Sequence, residues 1–319
     1  MISRMILAAG VMVASALLPT VAMAGSEIQN QGSDTLVDVA QAWVAAFQQA
    51  NPGVAVAVSG GGSEIGIAAL INGTVDIANA DRKMNDKEAQ LAEQHGLHPV
   101  AHIVGYDALA VFINSANPAP QLTIPQLREI FGRDGKASKW TDVGIEVPGC
   151  QGQKIVVVSG QKDSCTYLYF KDAVLGEAGK YRQGTLDMHS FDDVVDLVEK
   201  IPCAIGYSGL AYTTNHVKMA CISKADEPCV MPSEKTARDH SYPIAHPLFM
   251  YTRGEPQGEV KKYLDWVLSD AGQCILKDKG YVPVREVSCN SAADGQTARR
   301  AIGTRSCAGA FASAARPQS

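Results

Sequence analysis

A glycine-rich turn between a predicted strand and a predicted helix constrains the fold of this chain more than any other stretch. Val54, Val56 and Val58 alternate with other residues in the pattern of a strand, and helical spacing follows the turn as far as Leu70. The turn itself, residues 59–66, reads SGGGSEIG. A turn of this kind can present unpaired N–H groups at the positive end of a helix dipole, with the Ser63 hydroxyl as a further donor. The stretch therefore indicates a site for a small anion.

The same alternation of strand and helix continues and predicts an α/β fold with a parallel sheet covered by helices. Apolar residues recur at helical spacing over 36–47, and a buried strand over 76–80 precedes a polar helix over 87–95. In open sheets of this class, ligands bind beyond the carboxyl ends of the strands. Ser63 and the Asp81-Arg82 corner follow such strand ends, so we expect them on one edge of the sheet.

Two apolar stretches predict that the chain crosses twice between two lobes. They cover 100–113, with a break at 105–107, and 245–252. The predicted organisation is a signal peptide over 1–24, lobe I over 25–106 plus 245–285, lobe II over 107–244, and a loosely ordered tail over 286–319. Within the lobes we expect further helices over 124–131, 167–174, 192–199 and 260–267, and strands over 155–158 and 204–207. Two more Ser/Thr-rich helix starts, at 32–35 and 163–166, suggest one ligand held from several sides.

The amino terminus has the pattern of a secretory signal. Arg4 precedes an apolar run over 5–18, and Ala22-Met23-Ala24 is a typical cleavage site. No later stretch reaches about 18 consecutive apolar residues, the length that a membrane span needs. We therefore expect an exported, soluble protein, with a bacterial periplasm as its natural destination.

The charge balance argues against a nucleic-acid partner. The chain has 28 basic and 33 acidic residues, for a formal net charge of −5, whereas nucleic-acid binding needs a basic face. An acidic protein can still bind an anion if local dipoles and hydroxyls form the site.

The cysteine pattern predicts structural disulfides, because an even number in an exported chain is typical of disulfide bonding. The eight cysteines are at positions 150, 165, 203, 221, 229, 274, 289 and 307. Cys221 with Cys229 could close a local loop, and Cys274 with either Cys289 or Cys307 could fix the C-terminal end. No Cys or His spacing is typical of a zinc site, so no metal and no cofactor are expected.

Enzymatic function is the rival hypothesis, and the motifs argue against it. The chain has no G-x-S-x-G, no P-loop and no H-E-x-x-H motif. Its histidines are scattered and are expected at the surface or in satisfied structural positions: His95, His98, His102, His189, His216, His240 and His246. A secreted phosphatase-like enzyme is accordingly the least favoured of the functions considered.

Many separate motifs, in order over residues 27–285, resemble the phosphate-binding receptors of bacterial phosphate ABC transporters, the PstS type. They are QGSDTL (31–36), GGGSEIG (60–66), GTVDIANA (73–80), LREIFG (127–132), KWTDV (139–143), AIGYSGL (204–210), YP (242–243), PL (247–248) and GYVP (280–283). The resemblance implies a periplasmic binding protein (Venus-flytrap) fold that closes on an oxyanion between its lobes. It also implies a non-enzymatic receptor, expected as a monomer, that delivers phosphate to an ABC permease.

Carried over by position, the resemblance implies a ligand set drawn from both lobes. The expected contacts are Thr35, the Leu36 N–H, Ser63, Asp81, Arg82, Ser164, the Cys165 N–H and Thr166. Hydroxyls and main-chain amides suit this task, because a buried phosphate dianion needs hydrogen bonds to nearly every oxygen.

Three main departures from the family pattern, at positions 81, 160 and 165, and a further one at Glu64 each leave alternatives open. Relatives commonly have serine at the position of Asp81. The Asp81 carboxylate could select a protonated oxyanion by accepting a hydrogen bond from it, or it could pair with Arg82 and orient that side chain. Relatives usually have arginine at the position of Gly160. Lys162 could take the place of that missing arginine, or it could lie in a solvated loop. Glu64, in place of a small residue, could add negative charge to the site or point to solvent.

Cys165, where relatives have glycine, is the third departure. At a helix N-terminus its thiol could ionise and bind a thiophilic ligand such as arsenite. It could instead form a disulfide with a lobe II cysteine such as Cys150 or Cys203, or be a small buried thiol. The alternative function is therefore a PstS-like receptor with an altered ligand, arsenate, arsenite or another small anion, acting in sensing.

Overall fold

The structure is a computed structural model that describes residues 27–289 apart from 163 and 177. The predicted signal peptide and residues 290–319 of the predicted tail lie outside the described residues. The strands are β1 (Glu27–Gly32), β2 (Ala55–Ser59), β3 (Ile77–Ala80), β4 (Val100–Asn114), β5 (Leu122–Thr123), β6 (Val156–Gly160), β7 (Leu186–Met188), β8 (Ala204–Gly209), β9 (Val217–Met219), β10 (Ile222–Ser223) and β11 (Ala245–Thr252). The helices are α1 (Asp34–Ala50), α2 (Ser63–Asn72), α3 (Asp86–Gln94), α4 (Ile124–Phe131), α5 (Cys165–Phe170), α6 (Phe191–Lys200), α7 (Glu234–Arg238), α8 (Gly258–Val267) and α9 (Asp270–Asp278).

The main sheet has the order β2-β1-β3-β11-β4-β8-β6-β7, with β9 also paired to β4. Strands β2, β1 and β3 are parallel at one end, and β8, β6 and β7 are parallel at the other. The antiparallel strands β4 and β11 stand between these two groups. The two predicted crossings are thus hydrogen-bonded to each other, and each parallel group with its helices forms one lobe. The predicted α/β fold with two lobes is confirmed; the residue boundaries of the lobes stay a prediction.

The break predicted at 105–107 does not interrupt β4, which is one strand of 15 residues. The register with β11 shifts there: Leu248 pairs with Gly105 and Phe249 with Ile103, so Val104 is an extra residue of β4 in this pairing. A Cβ at Gly105 would lie 2.5 Å from the Leu276 side chain. The glycine therefore allows α9 to pack closely against the crossing strand, which sequence periodicity could not indicate.

Each lobe has its own aromatic core. In the first, Trp43 and Phe47 of α1 pack with Tyr263 of α8, and the Trp43 Nε1–H donates to the Gly272 carbonyl at 2.7 Å. In the second, Phe131 and Phe170 pack with a buried tyrosine, Tyr207. These fully buried rings fix α1 and α5, the two helices whose first residues carry predicted ligand groups.

Three disulfides join described cysteines: Cys150–Cys203, Cys221–Cys229 and Cys274–Cys289. The predicted Cys221–Cys229 bridge is confirmed, and Cys274 pairs with Cys289. The prediction that Cys165 bonds to Cys150 or Cys203 is wrong, because those two residues bond to each other with Cα atoms 5.4 Å apart.

The helix predicted over 167–174 also differs from the observed one. It begins two residues earlier, at Cys165, and its last part, Lys171–Leu175, is π-helical. Among the described residues, no helix combines the length and apolar character needed to cross a membrane.

Candidate functional site

The first-lobe part of the site depends on two glycines at which backbones touch. A Cβ at Gly32 would lie 2.0 Å from the Asn79 carbonyl oxygen, and one at Gly66 would lie 2.5 Å from that of Gln31. Only glycine permits these approaches, which bring the start of α1, the start of α2 and the end of β3 together. The family-like motifs at 31–36 and 60–66 thus have a packing role before any binding role.

The glycine turn does not offer all of its N–H groups to a ligand. The Gly61 N–H donates to Asp34 Oδ1 and the Gly62 N–H donates to the Gly32 carbonyl, both at 3.0 Å. For these two residues the expectation of unpaired turn amides is wrong, because Asp34 of α1 and the Gly32 carbonyl at the end of β1 lie close enough to accept from them.

Three of the predicted ligand residues converge in this lobe. The Thr35 hydroxyl donates to Asp81 Oδ2 at 3.1 Å, and the Ser63 hydroxyl donates to Asp81 Oδ1 at 2.5 Å. The Asp81 N–H donates back to Ser63 Oγ at 3.0 Å. Thr35 and Ser63 are only 5% and 7% exposed and Asp81 is half-buried, so the two hydroxyls and the carboxylate form a partly buried polar cluster. The Tyr281 hydroxyl donates to the Thr35 carbonyl and so holds the backbone of Thr35 in place.

Arg82 does not pair with the neighbouring carboxylate. Its guanidinium donates to both carboxylate oxygens of Glu88, at 2.8 and 2.7 Å. These hydrogen bonds raise the pKa of Arg82. Burial alone would raise the pKa of Glu88, but the bonds from Arg82 and from the Asn85 backbone lower it below its usual range. The alternative in which Asp81 pairs with Arg82 is therefore wrong, and Asp81 is oriented by Thr35 and Ser63.

Two more of the open alternatives now have a structural answer. Glu64 is an exposed residue in the first turn of α2, as expected of a carboxylate that favours the helix dipole. Lys162 has a side chain that is 75% exposed, and its ammonium lies 3.2 Å from Asp187. Gly160 is buried at the end of β6. These contacts place Lys162 in the solvated loop.

The second-lobe residues lie together at the start of α5. Ser164 caps this helix: its Oγ accepts from the Tyr167 N–H at 3.2 Å and donates to the Gln161 carbonyl at 2.8 Å. Ser164 and Thr166 are buried, at 0% and 3% exposure. Cys165 is also buried and is disulfide-bonded. Since a bonded sulfur cannot ionise as a thiolate, the predicted arsenite-binding thiolate is wrong for this state of the protein.

A stacked pair of rings connects α5 with the first-lobe cluster. Tyr169 of α5 stacks on His246 of β11, with ring centroids 3.8 Å apart and planes at 12°. Burial lowers the pKa of His246, while the charges of Asp107 and Asp81 and a hydrogen bond to the Asp81 backbone oppose this shift. His246 Nε2 lies 4.0 Å from Asp107 Oδ2.

Sequence reasoning missed His246 as a site residue. It was expected at the surface or in a satisfied position, but its Nε2 is buried without a hydrogen-bond partner among the described residues. The only available signal was its position next to the PL motif at 247–248 on the crossing strand, where both lobes meet.

The cluster can recognise an oxyanion through two kinds of hydrogen bond. Hydroxyls such as those of Thr35 and Ser63 donate to anion oxygens, while an ionised carboxylate only accepts and so needs a proton from the ligand. Within residues 27–289, with the gaps noted above, no group of His, Cys, Asp or Glu side chains could hold a metal ion.

Comparison with known proteins gives a consistent result. The family model for the PBP superfamily domain matches residues 19–271. The chain is 32% identical over 270 residues to the phosphate-binding protein PstS of Pseudomonas aeruginosa, which covers 81% of this chain and 83% of that one. This chain belongs to the PstS family of the PBP superfamily.

Two solved structures agree with this membership. A possible phosphate binding protein from Planctomyces limnophilus has a TM-score of 0.72 at 28% identity, covering 82% of this chain and 94% of that one. An ABC-type phosphate transport receptor from Vibrio cholerae has a TM-score of 0.63 at 25% identity, covering 81% and 100%. The family membership and the two-lobed periplasmic binding protein fold expected from the sequence are confirmed.

Proposed function

We propose that this protein captures phosphate, or a closely related oxyanion, between its two lobes and delivers it to an ABC permease. The observation that supports this most is the convergence of Thr35, Ser63 and Asp81 in one partly buried cluster. The names of the PstS-type relatives support the same ligand. The role is that of a binding protein and not of an enzyme.

The proposed first-lobe contacts follow from the hydrogen bonds that join Thr35 and Ser63 to Asp81. Each hydroxyl has one proton, and both protons now point to Asp81. When Thr35 and Ser63 turn to donate to an anion, Asp81 loses two donors. A ligand that still carries a proton can replace one of them, so hydrogen phosphate suits the cluster better than a fully ionised anion. The Leu36 N–H and the Arg82 corner complete this half of the proposed set.

The proposed second half consists of Ser164, the Cys165 N–H and Thr166. The stack of Tyr169 on His246 supports their position opposite the first-lobe cluster, because it joins α5 to the strand next to Asp81. In the proposed closure around phosphate, lobe II (107–244) moves toward lobe I (25–106 plus 245–285). The crossing strands β4 and β11 act as the hinge. Phosphate drives this motion by binding the closed arrangement more tightly.

The cellular setting is part of the proposal. We infer that residues 1–24 are removed as a signal peptide and that the mature protein acts as a monomer in the periplasm. Arsenate, which has the same shape and protonation pattern as phosphate, is the closest alternative ligand.

Calorimetric titration of the mature protein with phosphate, arsenate and sulfate at pH 8 tests the proposal. Sulfate is the matched control, because it has the size and charge of hydrogen phosphate but no proton. We expect phosphate and arsenate to bind and sulfate to bind much more weakly. Absence of phosphate binding would contradict the proposed function, and equal binding of sulfate would contradict the proposed role of Asp81.

A further inference from the structure

His246 contacts both halves of the proposed phosphate site without belonging to the predicted ligand set. One edge of its ring hydrogen-bonds the Asp81 backbone, and one face stacks on Tyr169 of α5. We propose that His246 is a positioning residue, which holds Asp81 where its carboxylate can accept a hydrogen bond from the proton of hydrogen phosphate. This inference rests on the proposed function and on the role of Asp81 in it.

The bond from His246 differs from the other contacts of Asp81 because it does not depend on the ligand. The Asp81 carboxylate accepts from the Ser63 and Thr35 hydroxyls at 2.5 and 3.1 Å. In the proposed bound state both hydroxyls turn to the anion, so the carboxylate loses these two donors. The Asp81 N–H already donates to Ser63 Oγ at 3.0 Å, so the His246 ring donates to the Asp81 carbonyl. That bond can persist while phosphate enters.

The protonation of the ring identifies the nitrogen that donates. Burial lowers the pKa of His246 and so favours the neutral ring, which has one N–H. Nε2 is buried without a hydrogen-bond partner among residues 27–289 as described. It lies 4.0 Å from Asp107 Oδ2, which is too far for a hydrogen bond. Nδ1 therefore carries the proton and donates to Asp81.

The surroundings of His246 fix the direction of this N–H. The rings of Tyr169 and His246 have centroids 3.8 Å apart and planes at 12°, so the imidazole cannot turn without losing the stack. Pro247 follows His246 and restricts its backbone to the extended conformation. β11 is paired with β4 from Ala245 to Thr252. Both the ring and the backbone of His246 are thus held, as a residue that positions another requires.

The consequence of this contact is selectivity for a protonated anion. The Asp81 carboxylate favours hydrogen phosphate over sulfate only if it lies where it can accept from the proton of the ligand. If the Asp81 backbone is no longer held, the carboxylate moves from that position and the hydrogen bond weakens. Sulfate has no proton and makes no such bond. Loss of the His246 donor should therefore weaken phosphate binding and leave sulfate binding unchanged.

Calorimetric titration of the mature protein and two His246 variants with inorganic phosphate and sulfate at pH 8 tests the inference. His246→Phe keeps a ring for the stack but removes the donor. We expect its phosphate Kd to rise by about 3- to 10-fold, as for the loss of one hydrogen bond between neutral groups. His246→Asn places an amide N–H near the position of Nδ1 and should restore the phosphate Kd to within about twofold of the wild type.

A double-mutant cycle shows whether His246 acts through Asp81. In the Asp81→Asn protein no carboxylate remains to be positioned, so His246→Phe should change the phosphate Kd by less than about twofold there. An equal effect of His246→Phe with and without the Asp81 carboxylate would overturn the inference.

His102→Phe is the matched control. Burial also lowers the pKa of His102, and its Nε2 lies 2.9 Å from Thr252 Oγ1 instead of contacting Asp81. This variant should lower the thermal stability and leave the phosphate Kd within about twofold of the wild type. A purely structural His246 would give the same result as His102.

The outcomes separate the inference from the proposed function. If the wild-type protein binds phosphate and His246→Phe binds it equally well, the role of His246 is overturned and the proposed function stands. Equal losses of affinity in His246→Phe and His246→Asn would overturn it too. If the wild-type protein does not bind phosphate, both fail. Nitrogen NMR of the ring needs no ligand: we expect the proton on Nδ1, and a proton on Nε2 would overturn the inference. Thermal unfolding verifies that each variant is folded.

Discussion

Replacement of Ser63 by alanine is the most direct test of the first-lobe cluster. Ser63 Oγ takes part in two hydrogen bonds with Asp81, one as donor at 2.5 Å and one as acceptor from the N–H at 3.0 Å. In the bound state we expect its proton to point to the anion. Loss of a hydrogen bond to a charged group costs about 1–3 kcal/mol, which corresponds to a rise in the phosphate Kd of about 5- to 150-fold.

The same substitution should also lower the stability of the unliganded protein. Alanine leaves the partly buried Asp81 N–H without its acceptor, at a cost of up to about 1–3 kcal/mol. The assay therefore combines calorimetric titration with phosphate and urea unfolding, so that binding and stability are measured separately.

Ser190→Ala is the matched control. Ser190 caps α6 by accepting from the Asp193 N–H at 3.1 Å, and loss of such a cap costs about 0.5–2 kcal/mol of stability. This variant should lose stability without a change in phosphate Kd. A folded Ser63→Ala protein with the wild-type Kd would refute the reasoning and remove Ser63 from the site.

Three further predictions follow from the structure. Asp81→Asn should reduce the discrimination between phosphate and sulfate, since an amide can donate as well as accept; titration with both anions at pH 8 checks this, and unchanged discrimination would contradict it. Burial lowers the pKa of His246, so its neutral form contributes stability above the unfolded pKa of about 6.5 that is lost as the pH falls through the lower folded value. Urea unfolding at pH 7 and at pH 5 should therefore show a smaller loss of stability on acidification for His246→Gln than for wild type. His102→Gln is the comparison variant, because burial also lowers the pKa of His102. Gly66→Ala should cost about 1–3 kcal/mol in urea unfolding, because its Cβ would meet the Gln31 carbonyl, whereas Gly53→Ala, with open space around the Cβ, should cost much less.

The local pattern of the chain was enough to predict most of its elements. Alternating valines gave β2, helical spacing gave α1, and the apolar run at 245–252 matches β11 residue for residue. These features depend on side-chain periodicity and on capping residues near in sequence, which is why sequence alone determined them. The order of the motifs over 27–285 likewise indicates the family from sequence alone.

The tertiary structure decided which polar groups pair, because partners distant in sequence compete for each donor. Arg82 could pair with Asp81 or with Glu88, and the capping geometry of α3 brings Glu88 to it. Cys150 could reach several cysteines, and only the fold brings Cys203 within bonding distance. His246 became a site residue only when the crossing strand placed its ring between Tyr169 and Asp107. Sequence determined the elements, since these follow from local spacing; the pairing of charges, sulfurs and rings required the packed fold, since it depends on distances across the chain.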